Sequence, residues 1–277
     1  MQKWPPIYNE NYRPDPSTPY WFSDLETMDP AERDQTIILP KLKTQLNYAY
    51  KHSALYRKKW DAAGIKPQDV RSLDDFEAIP FLFKDELRAD QAAHPPFGSN
   101  LCVSYKELAR VQGTSGTTGK PTAFGISKGD MKRIAETHAR VMWAMGIREE
   151  DIVFIGSFFS LYWGSWGTLL GAERLGAVAF PFGAGVAGQT ERALEWMAEV
   201  KPTVFYGTPS YSLYLAEKAK AKGLDPAKDF NFRILFFSGE PGAGVPSTKN
   251  RIEETFGGIC LDSGSTAEMS PWMTAGE

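Results

Sequence analysis

The sequence predicts an α/β protein with a mainly parallel sheet covered by helices on both faces, and three observations carry that expectation. Beyond about residue 127, short apolar runs alternate with amphipathic helical stretches, the order that builds parallel strands joined by helical crossovers. Several runs end in small or turn-forming residues, as in Ser157, Gly183, Gly207-Thr208-Pro209 and Ser238-Gly239-Glu240-Pro241. The chain has 277 residues, 42% of them hydrophobic and 23% charged, so it can bury the core such a sheet needs, as one large domain or two smaller ones.

Taken in order, residues 1–36 are rich in Pro, Tyr, Trp and Asn without a period. They read as an irregular arm that packs Trp4, Tyr8, Tyr12 and Trp21 against the body. Over 37–62 the apolar positions Ile38, Leu42, Leu46, Ala49, Leu55 and Trp60 recur at helical intervals, and Gly64 ends the run. The Ser72 to Asp75 pattern opens a further helix that Ile79-Pro80 stops. Residues 1–108 thus form an irregular and helical lead-in, and 109–277 an α/β core. Ser127 with Asp130 caps a helix whose inner face is Met131, Ile134, Ala135, His138, Val141, Met142 and Met145, closed by Gly146. Strands follow at 151–159, 177–182, 203–206, 233–237 and 259–262, with helices at 165–175, 190–200, 210–222 and 247–256. Ligands of such sheets sit beyond the carboxyl ends of the strands, which puts residues 157–160, 182–186, 207–210 and 238–241 on one rim.

Composition narrows the function. With 31 basic and 34 acidic residues, net charge −3, nothing favours nucleic acid or an anionic membrane as partner. The most apolar run, 152–164, falls short of the ~20 residues of a membrane helix. The opening Met1-Gln2-Lys3-Trp4-Pro5-Pro6 lacks the apolar core of a secretion signal, so a cytoplasmic location is expected. Cys102 and Cys260 read as reduced and structural.

The chain is organised around Gly113, Thr114, Ser115, Gly116, Thr117, Thr118, Gly119, Lys120, Pro121 and Thr122. Closely approaching backbone N–H groups, hydroxyl donors and one mobile ammonium suit the phosphates of a nucleotide. The mononucleotide loop G-x-x-x-x-G-K-[ST] does not fit, because Thr114 stands where its first glycine belongs and Pro121 stands where a magnesium-holding hydroxyl would open a helix. Residues 121–127 read as a strand, so the loop joins two strands.

A Ser/Thr/Gly loop ending in Gly119-Lys120-Pro121-Thr122 between strands resembles the phosphate loop of the adenylate-forming superfamily. Tyr56-Arg57-Lys58-Lys59, Ile79-Pro80-Phe81, Gly171-Ala172-Glu173-Arg174 and Gly207-Thr208-Pro209-Ser210-Tyr211 narrow the resemblance to the phenylacetate–CoA ligase family. It implies the large N-terminal domain of an adenylate-forming enzyme, with the C-terminal domain absent and supplied, if at all, elsewhere; a homodimer is also suggested. The implied co-substrates are ATP, an aryl carboxylic acid and coenzyme A, with Mg²⁺ as cofactor. By the same resemblance Thr114, Ser115, Gly116, Thr117, Thr118, Gly119 and Lys120 bind phosphates, with Thr117 and Lys120 catalytic. Ser238, Gly239, Glu240 and Pro241 resemble a segment bordering adenine. Asp262 and Glu268 match a motif that otherwise carries an aromatic, a glycine and a hydroxyl residue, and Glu268 would hold the metal and serve catalysis. Asp262, Ser263, Gly264, Ser265 and Thr266 would border the nucleotide, although Gly264 replaces the aromatic that stacks on adenine.

An aryl acid calls for an apolar, aromatic pocket. Phe158, Phe159, Tyr162, Phe182 and Phe236 supply walls, and Trp163, Trp166, Tyr206 and Gly207 are the chosen contacts. His52, His94 and His138 lack metal-ligand spacing, and His138 reads as a satisfied core histidine. The G-x-G-x-x-G match at 183–188 lacks its downstream acidic partner. A non-catalytic nucleotide-binding or interaction module on the same fold stays open as the alternative.

Overall fold

The computed structural model describes residues 9, 11–114, 121–184 and 188–266, and the backbone of 273–274. These residues form two compact units, one of residue 9 with 22–131 and one of 11–21 with residues from 132 on.

The first unit opens with two single-turn helices, α1 (Ser23–Glu26) and α2 (Pro30–Arg33), then α3 (Leu39–His52) and α4 (Ala54–Ala62). The single helical stretch expected over 37–62 is therefore divided. Ser53 adopts extended backbone, φ −102° and ψ 115°, and its hydroxyl accepts from the Tyr56 amide at 3.3 Å, so it ends one helix and caps the next. Leu46, Ala49, Trp60 and Val70 form a small core here, with Tyr50 stacked on Trp60. The expected start at Ser72 is α5 (Leu73–Phe76), where Ser72 and Asp75 each bind the other's amide at 3.1 and 3.0 Å. A further helix, α6 (Lys84–Ala93), follows, and β1 (Leu108–Gly113) pairs antiparallel with β2 (Ala123–Ser127). The two strands expected around the Gly/Ser/Thr loop are thus present. The Gln91 amide binds both backbone groups of Ala123, donating at 2.8 Å and accepting at 3.1 Å, and so fixes the far arm of that hairpin.

In the second unit α7 (Lys128–Ala144), from Lys132 on, is followed by β3 (Ile152–Ile155), α8 (Gly164–Leu175), β4 (Val178–Phe180), α9 (Gln189–Val200), β5 (Val204–Gly207), α10 (Pro209–Ala221), α11 (Pro226–Asp229), β6 (Ile234–Phe237), α12 (Pro246–Phe256), β7 (Ile259–Gly264) and β8 (Met273–Thr274). The strands line up β4-β3-β5-β6-β7-β8, parallel throughout except for β8, which runs antiparallel to β7. The strand expected over 151–159 stops at Ile155, because its ladder runs out. Gly156 still donates to Tyr206 O at 2.8 Å, and the chain then leaves the sheet as a loop leading to α8. Phe154, Phe205, Leu235 and Phe237 are fully buried between sheet and helices.

Two polar devices hold this unit. Asp151, 1% exposed, accepts from Thr203 Oγ1 at 2.7 Å, Arg233 Nε at 2.8 Å and the Arg148 amide at 2.7 Å, and also pairs with Arg233 Nη2. It ties together the segments that enter β3, β5 and β6. The arm packs as expected for Tyr12 and Trp21. Trp21 Nε1 donates to Glu136 at 2.8 Å, Glu136 in turn accepts from Arg174 Nε at 2.6 Å, and Tyr12 Oη donates to Trp21 O at 2.6 Å. Trp4 and Tyr8 lie outside the described residues.

Candidate functional site

Five parallel strands pointing one way put their carboxyl ends on one edge, and the residues just beyond them build the candidate site. Tyr206 is the third residue of β5 and 1% exposed. Ser238 follows β6 directly, and Tyr162 lies in the loop between β3 and α8. Their hydroxyls meet: Tyr206 Oη to Ser238 Oγ is 2.8 Å, Tyr162 Oη to Ser238 Oγ 3.0 Å, and Tyr162 Oη to Tyr206 Oη 3.4 Å. Burial, with the neighbouring Tyr162 second, pushes the Tyr206 phenol well above its ordinary range, so it stays a neutral hydroxyl.

The backbone is shaped around this cluster. A Cβ on Gly164, the first residue of α8, would come within 2.2 Å of Tyr206 Oη and 2.4 Å of Tyr162 Oη, so only glycine lets both phenols approach the helix start. Gly239 turns the chain with φ +94° immediately after Ser238. Glu240 then reaches back to accept from the Ser210 amide at 2.7 Å, in the first turn of α10, where Thr208 Oγ1 also accepts from Tyr211 at 3.4 Å. The turn of Ser238, Gly239, Glu240 and Pro241 is thereby pinned beside Gly207, whose carbonyl accepts from the Ser238 amide at 3.2 Å.

The chosen aromatic contacts divide. Trp163 is 9% exposed with its Nε1 buried and lacking a hydrogen-bond partner, whereas Trp166 is half-buried, packs its ring on Phe159 and donates to Ser160 O at 2.8 Å. Asp262 lies opposite Phe237 in the β6–β7 ladder, and Gly244 passes close enough that a Cβ there would stand 2.8 Å from Asp262 Oδ2. Ser263 turns inward, its hydroxyl donating to Phe237 O at 2.8 Å. Among the described residues nothing stands within 4 Å of a Cβ at Gly264, and Ser265 bonds the neighbouring Thr266 carbonyl at 3.1 Å.

Thr114 belongs to the first unit, where its hydroxyl accepts from the Thr122 amide at 3.2 Å and closes the β1–β2 hairpin at the root of the loop. Ser115, Gly116, Thr117, Thr118, Gly119, Lys120 and Glu268 lie outside the described residues. Among the described residues no group of three or more His, Cys, Asp and Glu side chains could hold a metal, and no helix is long and apolar enough to cross a membrane. Sequence reasoning had Tyr162 as one apolar wall among several. Its polar role was hidden because the partners Tyr206 and Ser238 are 44 and 76 residues away.

A family model described as AMP-binding enzyme matches residues 32–277. The chain is 36% identical over 220 residues to a phenylacetate-coenzyme A ligase of Aromatoleum evansii, covering 79% of this chain and 48% of that protein. It is 33% identical over 248 residues to one of Pseudomonas putida, covering 88% and 54%. Among solved structures, a 2-hydroxyisobutyryl-CoA ligase in complex with 2-HIB-AMP and CoA is similar with a TM-score of 0.93 and 53% identity, covering 98% of this chain and 57% of that one. The chain spans about half the length of the curated relatives it matches.

Proposed function

The chain belongs to the family of AMP-binding enzymes, and from that premise we propose that it is the adenylate-binding part of an acid–CoA ligase. In the proposed reaction a carboxylate attacks the α-phosphate of ATP, pyrophosphate leaves, and the sulfur of coenzyme A then displaces AMP from the acyl-adenylate. A carboxylate is a poor electrophile, which is why activation is needed. The observation that carries the reading is the pinned turn at residues 238–241, set beyond the strand ends where a parallel sheet receives its ligand, in a chain matched by the AMP-binding model over 246 of its residues, 32 through 277.

Roles are proposed residue by residue. Lys120 and the hydroxyls of Thr114, Ser115, Thr117 and Thr118, with the amides of Gly116 and Gly119, grip the polyphosphate, and Lys120 offsets charge as pyrophosphate departs. Ser238, Gly239, Glu240 and Pro241, with Asp262 and the residues 263–266, border the nucleoside. Glu268 would hold Mg²⁺, which when bound shares the charge of the phosphates. Trp163, Trp166, Tyr206 and Gly207 border the acid. An aromatic acid suits the two tryptophans; a short aliphatic acid is the second reading, favoured by the higher identity to the 2-hydroxyisobutyryl-CoA ligase than to the phenylacetate ligases.

Pyrophosphate exchange across a panel of aryl and short aliphatic acids tests the proposal, using a protein that carries this chain together with the remainder of a ligase. The expected result is exchange that depends on one class of acid, and loss of at least about tenfold in ATP affinity in the Lys120→Ala, Thr117→Ala double variant. Exchange that no acid stimulates would favour a non-catalytic nucleotide-binding module, and unaltered ATP affinity in the double variant would remove the phosphate grip from the loop.

A further inference from the structure

Two glutamines are buried at the hairpin that precedes and follows the Gly/Ser/Thr loop, and they differ in what they bind. Gln91, 8% exposed, engages both backbone groups of Ala123 with its carboxamide, donating at 2.8 Å and accepting at 3.1 Å. Gln112, 7% exposed and part of β1, has no such partner. Its Oε1 is buried without a donor, and among the described residues no hydrogen bond engages its Nε2. A buried carboxamide in that state destabilises the free chain, because its bonds to water are lost and nothing replaces them. A leucine of similar volume would avoid the cost.

Gln112 stands directly before Gly113 and two residues before Thr114, level with Phe124 across the hairpin. Alternation sets Arg110, Gln112 and Thr114 in one row, with Val111, 53% exposed, on the opposite face. Strand pairing continues past Gly113, the Thr114 amide donating to Thr122 O at 3.1 Å, so the row keeps its alternation up to the loop. There the hydroxyl of Thr122, a residue 1% exposed, lies 3.3 Å from that of Thr114. A guanidinium, a carboxamide and a hydroxyl thus follow one another toward the segment proposed to hold the phosphates. All three carry N–H or O–H donors, the complement of an ionised phosphate, whose oxygens only accept.

We propose that Gln112 is a further phosphate-binding residue, its Nε2 donating to the polyphosphate of ATP. This rests on the reading of residues 114–120 as the phosphate grip and adds to it a neutral donor carried by the strand instead of the loop. A strand suits that role. The ladder to β2 holds β1, and Gln91 holds Ala123 of β2, so the carboxamide is positioned before the ligand arrives. The two ends of a carboxamide exchange by a half-turn of its last torsion, and an acceptor-only ligand selects the nitrogen. The residue is retained at a cost to the free chain because the bound state uses it.

The test is isothermal titration of the 277-residue chain and of its Gln112→Leu and Gln112→Glu variants with ATP and with AMP, together with thermal unfolding of each protein without ligand. Leucine removes the donor at similar volume, and glutamate keeps the shape but brings a negative charge. Gln112→Leu is expected to bind ATP about tenfold more weakly and AMP less than about threefold more weakly, while its unfolding midpoint rises by about 2 °C or more. Gln112→Glu should lose more ATP affinity than Gln112→Leu, because its carboxylate repels the phosphates. Affinity and stability thus move in opposite directions, whereas a residue that only packs would lower both. ATP affinity within about twofold of the unaltered chain in both variants, equal losses for ATP and AMP, or a lower midpoint in Gln112→Leu would each overturn the proposal alone. An unaltered chain that binds neither nucleotide would overturn the phosphate-grip reading and this inference with it.

Discussion

At the scale of single residues, His138 shows how burial fixes a protonation state. It lies on the inner face of α7 with no exposed surface, and its Nδ1 bonds Ile134 O at 2.9 Å. Glycines at 167 and 171 of α8 make its space: a Cβ at 167 would stand 2.2 Å from the ring nitrogen Nε2. Burial lowers its pKa to about 4, the backbone bond opposing the shift only in part. The unfolded chain takes up this proton near pH 6.5, so between 6.5 and about 4 the unfolded state binds more protons than the folded one. Stability contributed at this site is therefore present above pH 6.5 and lost as pH falls toward 4, at up to about 1.4 kcal/mol per unit. Urea unfolding at pH 7, 6 and 5 should show a steeper loss for the wild type than for His138→Gln. Parallel slopes would mean that the histidine is not the group responsible. The same residue illustrates what a sequence can tell. Its apolar helical neighbours, Ile134 and Met142, were enough to mark it as core.

Among elements, α10 carries the connection between framework and site. Its first turn leaves amides unpaired within the helix, and a carboxylate there is favoured by both hydrogen bonding and the helix dipole. Glu240 supplies that carboxylate from the turn after β6, which couples the position of residues 238–241 to the start of α10. Glu240→Ala is expected to lower unfolding stability by about 1 kcal/mol, while Glu240→Gln, which keeps an acceptor, loses less. Nucleotide affinity should fall in the same order. Thermal midpoints and AMP titrations of the three proteins check this, and equal affinities would detach the turn from the nucleotide. The element order was legible because the βα alternation carries a strong apolar period, and the helix ends at Gly146, Gly176 and Gly223 announce themselves by residue type. What escaped was set by tertiary pairing. Nothing local tells that β3 ends at Ile155, since 156–159 are as apolar and small as a strand; the ladder to β5 decides. Likewise Ser53 divides α3 from α4 inside a run whose apolar spacing is continuous.

On the scale of the whole molecule, the fold and the rim were foreseen, while the polar interior of the site was not, because a hydroxyl cluster assembled from residues 162, 206 and 238 leaves no local trace. Binding and turnover also separate at this scale. On the reading proposed above, the turn at 238–241, held by Glu240 on the Ser210 amide, borders the nucleotide. Proteins of this kind that make thioesters, as the relatives' names state, are about twice as long as the stretch they share with this chain, which covers 48% and 54% of two of them. Stabilisation of charge developing on the phosphates requires donors fixed around the reacting atoms on all sides, and withdrawing one such donor costs on the order of 10²-fold in rate. The 277-residue chain by itself should thus bind acyl-adenylate mimics yet consume coenzyme A thiol, in the presence of ATP and acid, on the order of 10²-fold or more slowly than the same chain joined to the remainder of a ligase. Following free thiol over time in both preparations, at equal concentrations of mimic-binding sites, reads the difference directly; comparable rates would show that these 277 residues hold the whole catalytic apparatus.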